Sequence, residues 1–309
     1  MQLMNDQRPI RIGTRSSELA TWQARKVADL LSEQGYDAEL IFITSEGDKD
    51  QTTPLPEMGG RGVFTKAVDR ALLNGDIDLG VHSFKDLPTE NPMPLTITAV
   101  TERDDPRDAL VAPDGTDFLN DPNHEAVIAT GSNRRKAQWL NRYPNHKVVN
   151  LRGNVNTRLE KVQTKPWDGA IFAAAGLKRI GLNQHISQYL DWMIPAPAQA
   201  AMAVMVREDD EKMQDIVSQL NDDFTAICTQ IERNFLRVME AGCSAPVGAH
   251  AWMEKKNIHF KATALTLDGC ERHDFEKKLP VFEAEGLGKK AARQLLDKGA
   301  AKIMEKLNR

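Results

Sequence analysis

The chain has 309 residues, of which 41% are hydrophobic and 27% charged, and its formal net charge is -4. This length suffices for two or three domains with apolar cores, and the small negative charge argues against non-specific binding of nucleic acid. Residues 1–9 lack the apolar stretch of a signal peptide, and no run approaches the roughly 18 apolar residues of a membrane span, so we expect a cytoplasmic protein that does not contact a membrane.

Strands and helices alternate through the first hundred residues. The segment RIGTRSS leads into a helix over 18–31, and a loop with the glycine motif GGRG at 59–62 precedes a second helix that stops at Gly75. The predicted strands are 39–44, 77–81 and 95–100. The charged stretch TERDDPRD then predicts a hinge and a domain boundary.

The same alternation continues in the middle of the chain and changes near its end. Strands near 126–130, 147–151 and 169–173, with helices at 134–142 and 156–163, predict a mostly parallel sheet. The segment 195–208 predicts that the chain crosses back to the first domain, which would make that domain discontinuous in sequence. From Asp222 onward, a long helix to about Glu240, several short strands between Val247 and Leu267, and a helix from Leu287 predict a smaller α+β domain.

The cysteines indicate neither a disulfide framework nor a metal site. Their number is odd, at three, and none forms a CxxC pair, so we expect no metal. Cys228 shares a helical stripe with Phe224, Ile231 and Phe235, which predicts that all four lie in a core.

Arginine recurs in the turns that follow apolar runs. These turns carry Arg11 and Arg15, Arg134 and Arg135, and Arg152 and Arg158. Arginine binds a carboxylate through two parallel N–H donors, so the repetition favours one ligand with several carboxylates. The alternative is that these are solvated surface arginines.

Two further residues are candidates for chemistry. Asp86 follows the strand 77–81, where a carboxylate could stabilise a developing cation or move a proton, although it could also simply cap a turn. Cys243 lies among the tiny residues of AGCSAP, which leaves room for a bulky group at its sulfur, but a buried structural thiol is the ordinary alternative. The GGRG loop lacks the lysine of a P-loop, and we interpret it as a lid or hinge.

Eight motifs in order resemble the porphobilinogen deaminase family, also called the hydroxymethylbilane synthases. They are IRIGTRSSELATWQA at 10–24, GGRGVFTK at 59–66, DLGVHSFKDLP at 78–88, ERDDPRDAL at 102–110, TGSNRRKAQ at 130–138, LRGNVNTRL at 151–159, AAGLKRIGL at 174–182 and AGCSAPVG at 241–248. The motifs HSFKDLP and LRGNVNTRL are the most specific.

The resemblance implies a fold and a reaction. The fold is two periplasmic-binding-protein-like α/β domains plus a smaller α+β C-terminal domain, with domain 1 at 1–102 and 199–219, domain 2 at 103–198 and domain 3 at 220–309. The reaction joins four porphobilinogen molecules head to tail onto a covalent dipyrromethane cofactor, releases ammonia, and ends with hydrolytic release of hydroxymethylbilane. We expect a monomeric transferase of haem and tetrapyrrole biosynthesis that binds a small molecule and no nucleic acid.

The resemblance also implies roles for individual residues. Cys243 would form a thioether to the dipyrromethane, and Asp86 would be the catalytic carboxylate that stabilises the azafulvene cation left by ammonia. The residues implied to hold the cofactor are Ser83, Lys85, Thr130, Ser132, Arg134 and Arg135. Those implied to bind substrate are Arg15, Arg152, Arg158, Arg179 and Gln199.

The sequence departs from the family pattern in places. Arg61 stands where a lysine is frequent, PAPAQAAMAVMV at 195–206 replaces a segment that often reads PAVGQGAVGIE, and Ala241, Ser244 and Ala245 replace Gly, Gln and Val near Cys243. A two-lobed solute receptor or a regulator's effector domain would use the same arginines only to hold an anion. A deaminase homologue that binds tetrapyrroles without turnover is a third reading.

Overall fold

The computed structural model describes residues 8–44, 65–90, 94–239 and 245–307. Within these ranges it contains two mixed five-stranded sheets and one antiparallel three-stranded sheet. The predicted fold class is therefore confirmed as two α/β units and a smaller α+β unit. The GGRG loop and Cys243 lie outside the described residues.

The first sheet has the order β2-β1-β3-β10-β4. Its strands are β1 Ile10–Thr14, β2 Ala38–Phe42, β3 Leu79–Ser83, β4 Leu95–Val100 and β10 Met202–Arg207. The helices beside it are α1 Glu18–Glu33, α2 Lys66–Leu73 and α6 Glu211–Ser218. Strands β2, β1 and β3 are parallel, whereas β10 is antiparallel to both of its neighbours. Apolar clusters cover both faces of this sheet.

The second sheet repeats this arrangement in the order β7-β6-β8-β5-β9. Its strands are β5 Asp108–Val111, β6 Val127–Ala129, β7 Lys147–Val149, β8 Gly169–Ala173 and β9 Gln188–Tyr189. The helices are α3 Asn133–Arg142, α4 Val155–Thr164 and α5 Ala174–Arg179. Here β7, β6 and β8 are parallel, and β5 is antiparallel to its neighbours. Each sheet is therefore mixed rather than mostly parallel.

Two segments connect the sheets. The first runs over 101–107 from β4 to β5, and the second over 190–201 from β9 to β10. Both lead into the antiparallel strand at the fourth position of a sheet. The carboxyl ends of the parallel strands, where α/β proteins place their ligand loops, thus lie close to both crossings.

The C-terminal unit differs from the prediction in its strands. It comprises α7 Asp223–Val238, β11 Val247–Glu254, β12 Asn257–Leu265, β13 Arg272–Pro280, α8 Leu287–Leu295 and α9 Ala301–Leu307. Instead of several short strands before Leu267, two long strands form a hairpin, and β13 pairs with β12 along its full length. Because β13 is a largely exposed edge strand of polar residues, its sequence carried little strand signal.

The predicted core stripe on α7 is correct except at its start. Cys228, Ile231 and Phe235 are buried in the core of this unit, but Phe224 is 62% exposed. The first turn of α7 lies at the junction with the first sheet, where the N–H of Asp222 donates to the carbonyl of Val100 at 2.8 Å. Phe224 therefore lies beyond the part of the helix that covers the core.

Candidate active site

Asp86 lies in a short turn at the end of β3. The buried strand LGVHS runs into a single 3-10 turn over Phe84–Asp86, and Pro88 prevents continuation because it lacks an N–H. Asp86 is exposed, whereas Phe84 and Leu87 on either side are buried. The predicted position of Asp86 at the end of this strand is confirmed.

Ser83 and Lys85 flank the same turn. The Ser83 hydroxyl exchanges hydrogen bonds with the side-chain amide of Gln23 at 2.8 and 3.2 Å. Lys85 donates from Nζ to Oε1 of Gln199 at 3.2 Å. Burial and the neighbouring guanidinium of Arg135 lower the pKa of Lys85 to about 8, against the opposing effect of Asp86 and Asp108.

Arg134 and Arg135 occupy the first turn of α3. Ser132 caps this helix by accepting from the N–H of Arg135, and the Thr130 hydroxyl accepts from the N–H of Ser132. Both arginines are nearly buried, and both bind the carboxylate of Asp108, at 2.6 Å from Arg134 and 2.8 Å from Arg135. This rigid placement at a helix N-terminus aims two fixed positive charges at one point.

Asp108 is a site residue that the sequence reasoning missed. It is fully buried at the start of β5. Burial alone would raise the pKa of Asp108, but the two guanidinium groups of Arg134 and Arg135 hold it well below its usual range. The only local signal was an acid directly before a short apolar run in ERDDPRDAL, because both arginine partners come from a distant helix.

Gln199 connects the Asp108 cluster to Lys85. Its side chain is 1% exposed, and its amide nitrogen donates to the Pro106 carbonyl at 2.7 Å and to Asp108 at 3.0 Å. Its amide oxygen accepts from Lys85. The structure therefore places Gln199 as a bridge between the lysine and the buried acid.

Arg152 and Arg158 come from the turn before α4 and from its first turn. Arg158 donates from Nε to the Gly153 carbonyl at 2.7 Å, and Arg152 is nearly buried. Burial, with Arg135 and Arg152 nearby, lowers the pKa of Arg158 to about 10, while Asp86 acts in the opposite direction. Asp86 in the first α/β unit thus interacts electrostatically with an arginine of the second.

Arg15 and Arg179 come from elements other than α3 and α4. Burial and the charge of Arg15 lower the pKa of His82 to about 4, which places Arg15 near the end of β3. Arg179 donates to Asp104 at 2.7 Å and to the Ala200 carbonyl at 2.6 Å, and its guanidinium lies 5.3 Å from the ring centroid of Trp22. It therefore spans the crossing segments.

Arg11 belongs to a different cluster. With Arg8 it binds Asp78, at 2.9 Å from Arg11 and 2.6 Å from Arg8. The arginine pattern therefore combined two different residues, because Arg15 lies near His82, whereas Arg11 lies in strand β1 and is a structural partner of an acid at the start of β3.

The site has an excess of positive charge. Lys85, Asp86, Asp108 and the four arginines at 134, 135, 152 and 158 form one electrostatically linked group that draws on both α/β units. Five cationic side chains face two carboxylates in this group. An arrangement of this kind favours a ligand that carries several negative charges.

Comparison with known proteins identifies the family. The description "Porphobilinogen deaminase, dipyromethane cofactor binding domain" matches residues 10–215, and "Porphobilinogen deaminase, C-terminal domain" matches residues 226–297. The chain belongs to the porphobilinogen deaminase family.

Individual relatives are similar to this chain over nearly their whole length. The porphobilinogen deaminase of Syntrophotalea carbinolica is 41% identical over 97% of this chain and 96% of its own, and that of Syntrophomonas wolfei is 40% identical over 96% and 98%. Among solved structures, a periplasmic substrate-binding protein of an ABC transporter from Coxiella burnetii is 16% identical with a TM-score of 0.43, covering 70% of this chain and 94% of that one.

The departure from the family pattern at 195–206 has a visible backbone consequence. Ala198 and Ala200, at positions where many porphobilinogen deaminases have glycine, adopt positive φ angles of 60° and 71°. Met205, at an acidic position of the family pattern, is fully buried in β10 between Gly80 and Ile97. The hinge region thus keeps the backbone shape that suits glycine while using alanine.

Proposed function

We propose that this protein is a hydroxymethylbilane synthase that condenses four porphobilinogen molecules onto a dipyrromethane attached to Cys243. The observation that carries the proposal is the link across the two α/β units in a chain of this family: Asp86 and Lys85 on one side, and the arginines of α3 and α4 on the other. A receptor that only held an anion would not need an exposed carboxylate beside those cations.

The residues present fit a dipyrromethane. Each pyrrole carries an acetate and a propionate, and the excess of cationic side chains around Asp86 matches such a ligand. When bound, the group supplies the free α-carbon of its terminal pyrrole as the nucleophile. Lys85, Arg134 and Arg135 would hold its carboxylates, together with donors from Ser83, Thr130 and Ser132.

Asp86 acts on the reacting centre in this proposal. Loss of ammonia from porphobilinogen leaves a cation delocalised over the pyrrole ring, and the exposed carboxylate of Asp86 stabilises that charge while accepting a hydrogen bond from the ring N–H. Carbon–carbon bond formation then releases a proton from the attacking α-carbon. The elongating product gains carboxylates, which Arg15, Arg152, Arg158 and Arg179 would neutralise, with Gln199 holding Lys85 in place.

The proposal extends to the setting of the enzyme. We assign the three domains with the boundaries predicted from the sequence. We further propose that the protein is monomeric and cytoplasmic and acts on a small molecule without a nucleic-acid partner. In the part of the chain that the structure describes, no helix combines the length and the apolarity that crossing a membrane requires.

Intact-mass measurement tests the attachment at Cys243. Purified protein should carry an adduct of two pyrrole units, and Cys243→Ser protein should lack it. Cys270→Ser is the matched control and should keep the adduct, since Cys270 is an exposed cysteine on another turn. Cys228 is buried, and burial together with Glu232 raises the pKa of its thiol to about 12, which makes it a poor nucleophile.

A wild-type chain that stays unmodified after incubation with porphobilinogen would overturn the proposal. Such a result would favour the solute-receptor reading. An adduct that persists in Cys243→Ser but disappears in Cys270→Ser would instead show that the attachment residue is misassigned.

A further inference from the structure

Arg233 of helix α7 holds the turn that carries Asp86. Its guanidinium donates to three carbonyls of that turn, at 3.4 Å from Phe84, 3.1 Å from Leu87 and 2.5 Å from Pro88. It also lies 4.4 Å from the ring centroid of Phe84. The contacted residues therefore flank Asp86 in the sequence on both sides.

Among the described residues, Ser83 and Lys85 are held by their side chains and Phe84 and Leu87 by burial, but few hydrogen bonds fix the backbone of this turn. It is a single 3-10 turn of three residues, closed by one hydrogen bond from the N–H of Leu87 to the Phe84 carbonyl at 3.3 Å. The N–H of Phe84 donates to the Ala201 carbonyl at 3.0 Å and fixes only the start of the turn. Short 3-10 turns have poor hydrogen-bond geometry, so the carbonyls after Asp86 depend on an outside donor for a fixed position.

Arginine suits this task because its planar group presents several donors at fixed angles. A lysine at the same position could not donate to three carbonyls while stacking on Phe84. The donors to Leu87 and Pro88 reach carbonyl groups that take no part in the hydrogen bond closing the turn, and the donor to Phe84 adds to the bond from the Leu87 N–H.

The helix that carries Arg233 also precedes Cys243 in the sequence. Helix α7 ends at Val238 with Met239 as its C-cap, and Cys243 follows four residues later, outside the described residues. One rigid helix thus contacts the turn of the proposed catalytic acid and precedes the proposed point of cofactor attachment.

We propose that Arg233 is a positioning residue that fixes the turn carrying Asp86 and so the position of the catalytic carboxylate. The inference rests on the proposed function, since it requires Asp86 to be the catalytic carboxylate. Arg233 itself touches backbone carbonyls and a phenyl ring, so it acts through the position of Asp86 and not through direct contact with substrate.

The test compares Arg233→Met, which keeps an unbranched stem but loses every donor, with Arg233→Lys, which keeps the charge. We expect kcat to fall by about 10- to 100-fold in Arg233→Met, with KM little changed, because misplacement of a catalytic group by about 1 Å has effects of this size. Arg233→Lys should recover only part of the loss. Rates are normalised to the fraction of protein that carries the primer, as measured by intact mass, so that misfolded protein does not contribute.

Arg237→Met is the matched control. Arg237 lies one turn further along the same helix, is exposed, and contacts Asn234 at 3.0 Å. Its loss should leave kcat unchanged. An equal loss in Arg237→Met, or full activity in Arg233→Met, would overturn the inference.

Asp86→Asn separates this inference from the proposed function. It should keep the fold and the primer but lose nearly all release of ammonia, and in that background Arg233→Met should lower the residual rate less than about twofold, because the two changes remove the same contribution. Full activity of Asp86→Asn would show that Asp86 is not the catalytic carboxylate and would remove the premise of the inference, whereas the proposed function itself is tested by the adduct at Cys243. An inactive Asp86→Asn with an unaffected Arg233→Met would overturn the positioning role alone.

Discussion

Lys85 shows how the surroundings of one residue set its chemistry. A lysine is ordinarily protonated well above neutral pH, but burial next to Arg135 and Arg134 disfavours the cation, and Asp86 and Asp108 recover only part of the difference. Its contact with Gln199 then keeps the ammonium group at the site. The residue therefore holds its charge at pH 7 and loses it within the mildly alkaline range.

This titration predicts a pH-dependent affinity. Because the pKa of Lys85 is lowered to about 8, the cation is lost as the pH rises through that value, and carboxylate binding should weaken by about tenfold, the order expected for one charge-assisted hydrogen bond. Calorimetric titration of porphobilinogen into primer-free Cys243→Ser protein between pH 7 and 9 measures the effect.

Lys85→Arg in the same Cys243→Ser background is the control, because arginine stays charged over this range. The substrate's own ionisation affects both proteins equally. A constant affinity between pH 7 and 9, or the same weakening in both proteins, would contradict the assignment to Lys85.

At the scale of elements, the second crossing segment combines strain with function. Ala198 and Ala200 both adopt left-handed backbone conformations, which cost a non-glycine residue roughly 1 to 2 kcal/mol. The N–H of Ala198 donates to Glu232 at 2.6 Å, and the carbonyl of Ala200 accepts from Arg179 at 2.6 Å. These contacts hold the turn whose middle residue, Gln199, bridges Lys85 and Asp108.

Relief of this strain is measurable. Ala200→Gly should raise the free energy of unfolding by about 1 kcal/mol, since glycine adopts positive φ without steric cost. Ala198→Gly should gain less because it also removes a fully buried methyl group. Urea denaturation measures both changes.

Ala203→Gly provides the comparison. Ala203 is fully buried in the regular strand β10, where glycine should lower the free energy of unfolding by about 0.5 to 1 kcal/mol or more. If Ala200→Gly were destabilising as well, backbone strain in the crossing segment would not contribute significantly to the free energy of unfolding.

At the scale of the whole molecule, Glu232 joins the C-terminal unit to both crossing segments. This fully buried carboxylate accepts from Arg103 in the first crossing at 2.6 Å, from Ala198 in the second crossing, and from the N–H of Ala251 in β11 at 2.7 Å. Its neighbour Arg233 holds the turn of Asp86. Helix α7 is therefore the point at which the C-terminal unit meets both crossings.

Removal of this charge should weaken the assembly. Glu232→Gln leaves Arg103 nearly buried without its carboxylate, and we expect a loss of about 3 to 5 kcal/mol in the free energy of unfolding. The exposed Glu254, which pairs with Lys278 at 3.0 Å, is the control, and Glu254→Gln should cost about 1 kcal/mol or less. Similar urea midpoints for the two variants would contradict the role of Glu232 as a junction.

The sequence by itself determined the features that local signals encode. Periodicity and caps predicted α1, α3 and α4 to within a few residues, and the pattern of turns after β6 and β7 predicted Arg134, Arg135, Arg152 and Arg158 as ligand-binding residues. The order of the motifs identified the family. Local patterns work here because helices, turns and buried strands depend mainly on neighbours in the chain.

Only the tertiary structure decided which charged groups meet. Asp108 binds Arg134 and Arg135 from another element, Gln199 reaches Lys85 from 114 residues away, and Arg233 reaches Pro88 from 145 residues away. Arg11 and Arg15 belong to one short motif, yet Arg11 lies in β1 and pairs with Asp78, whereas Arg15 follows the strand and lies near His82. The order of strands in the sheets and the packing of α7 choose these partners, and no stretch of sequence contains that information.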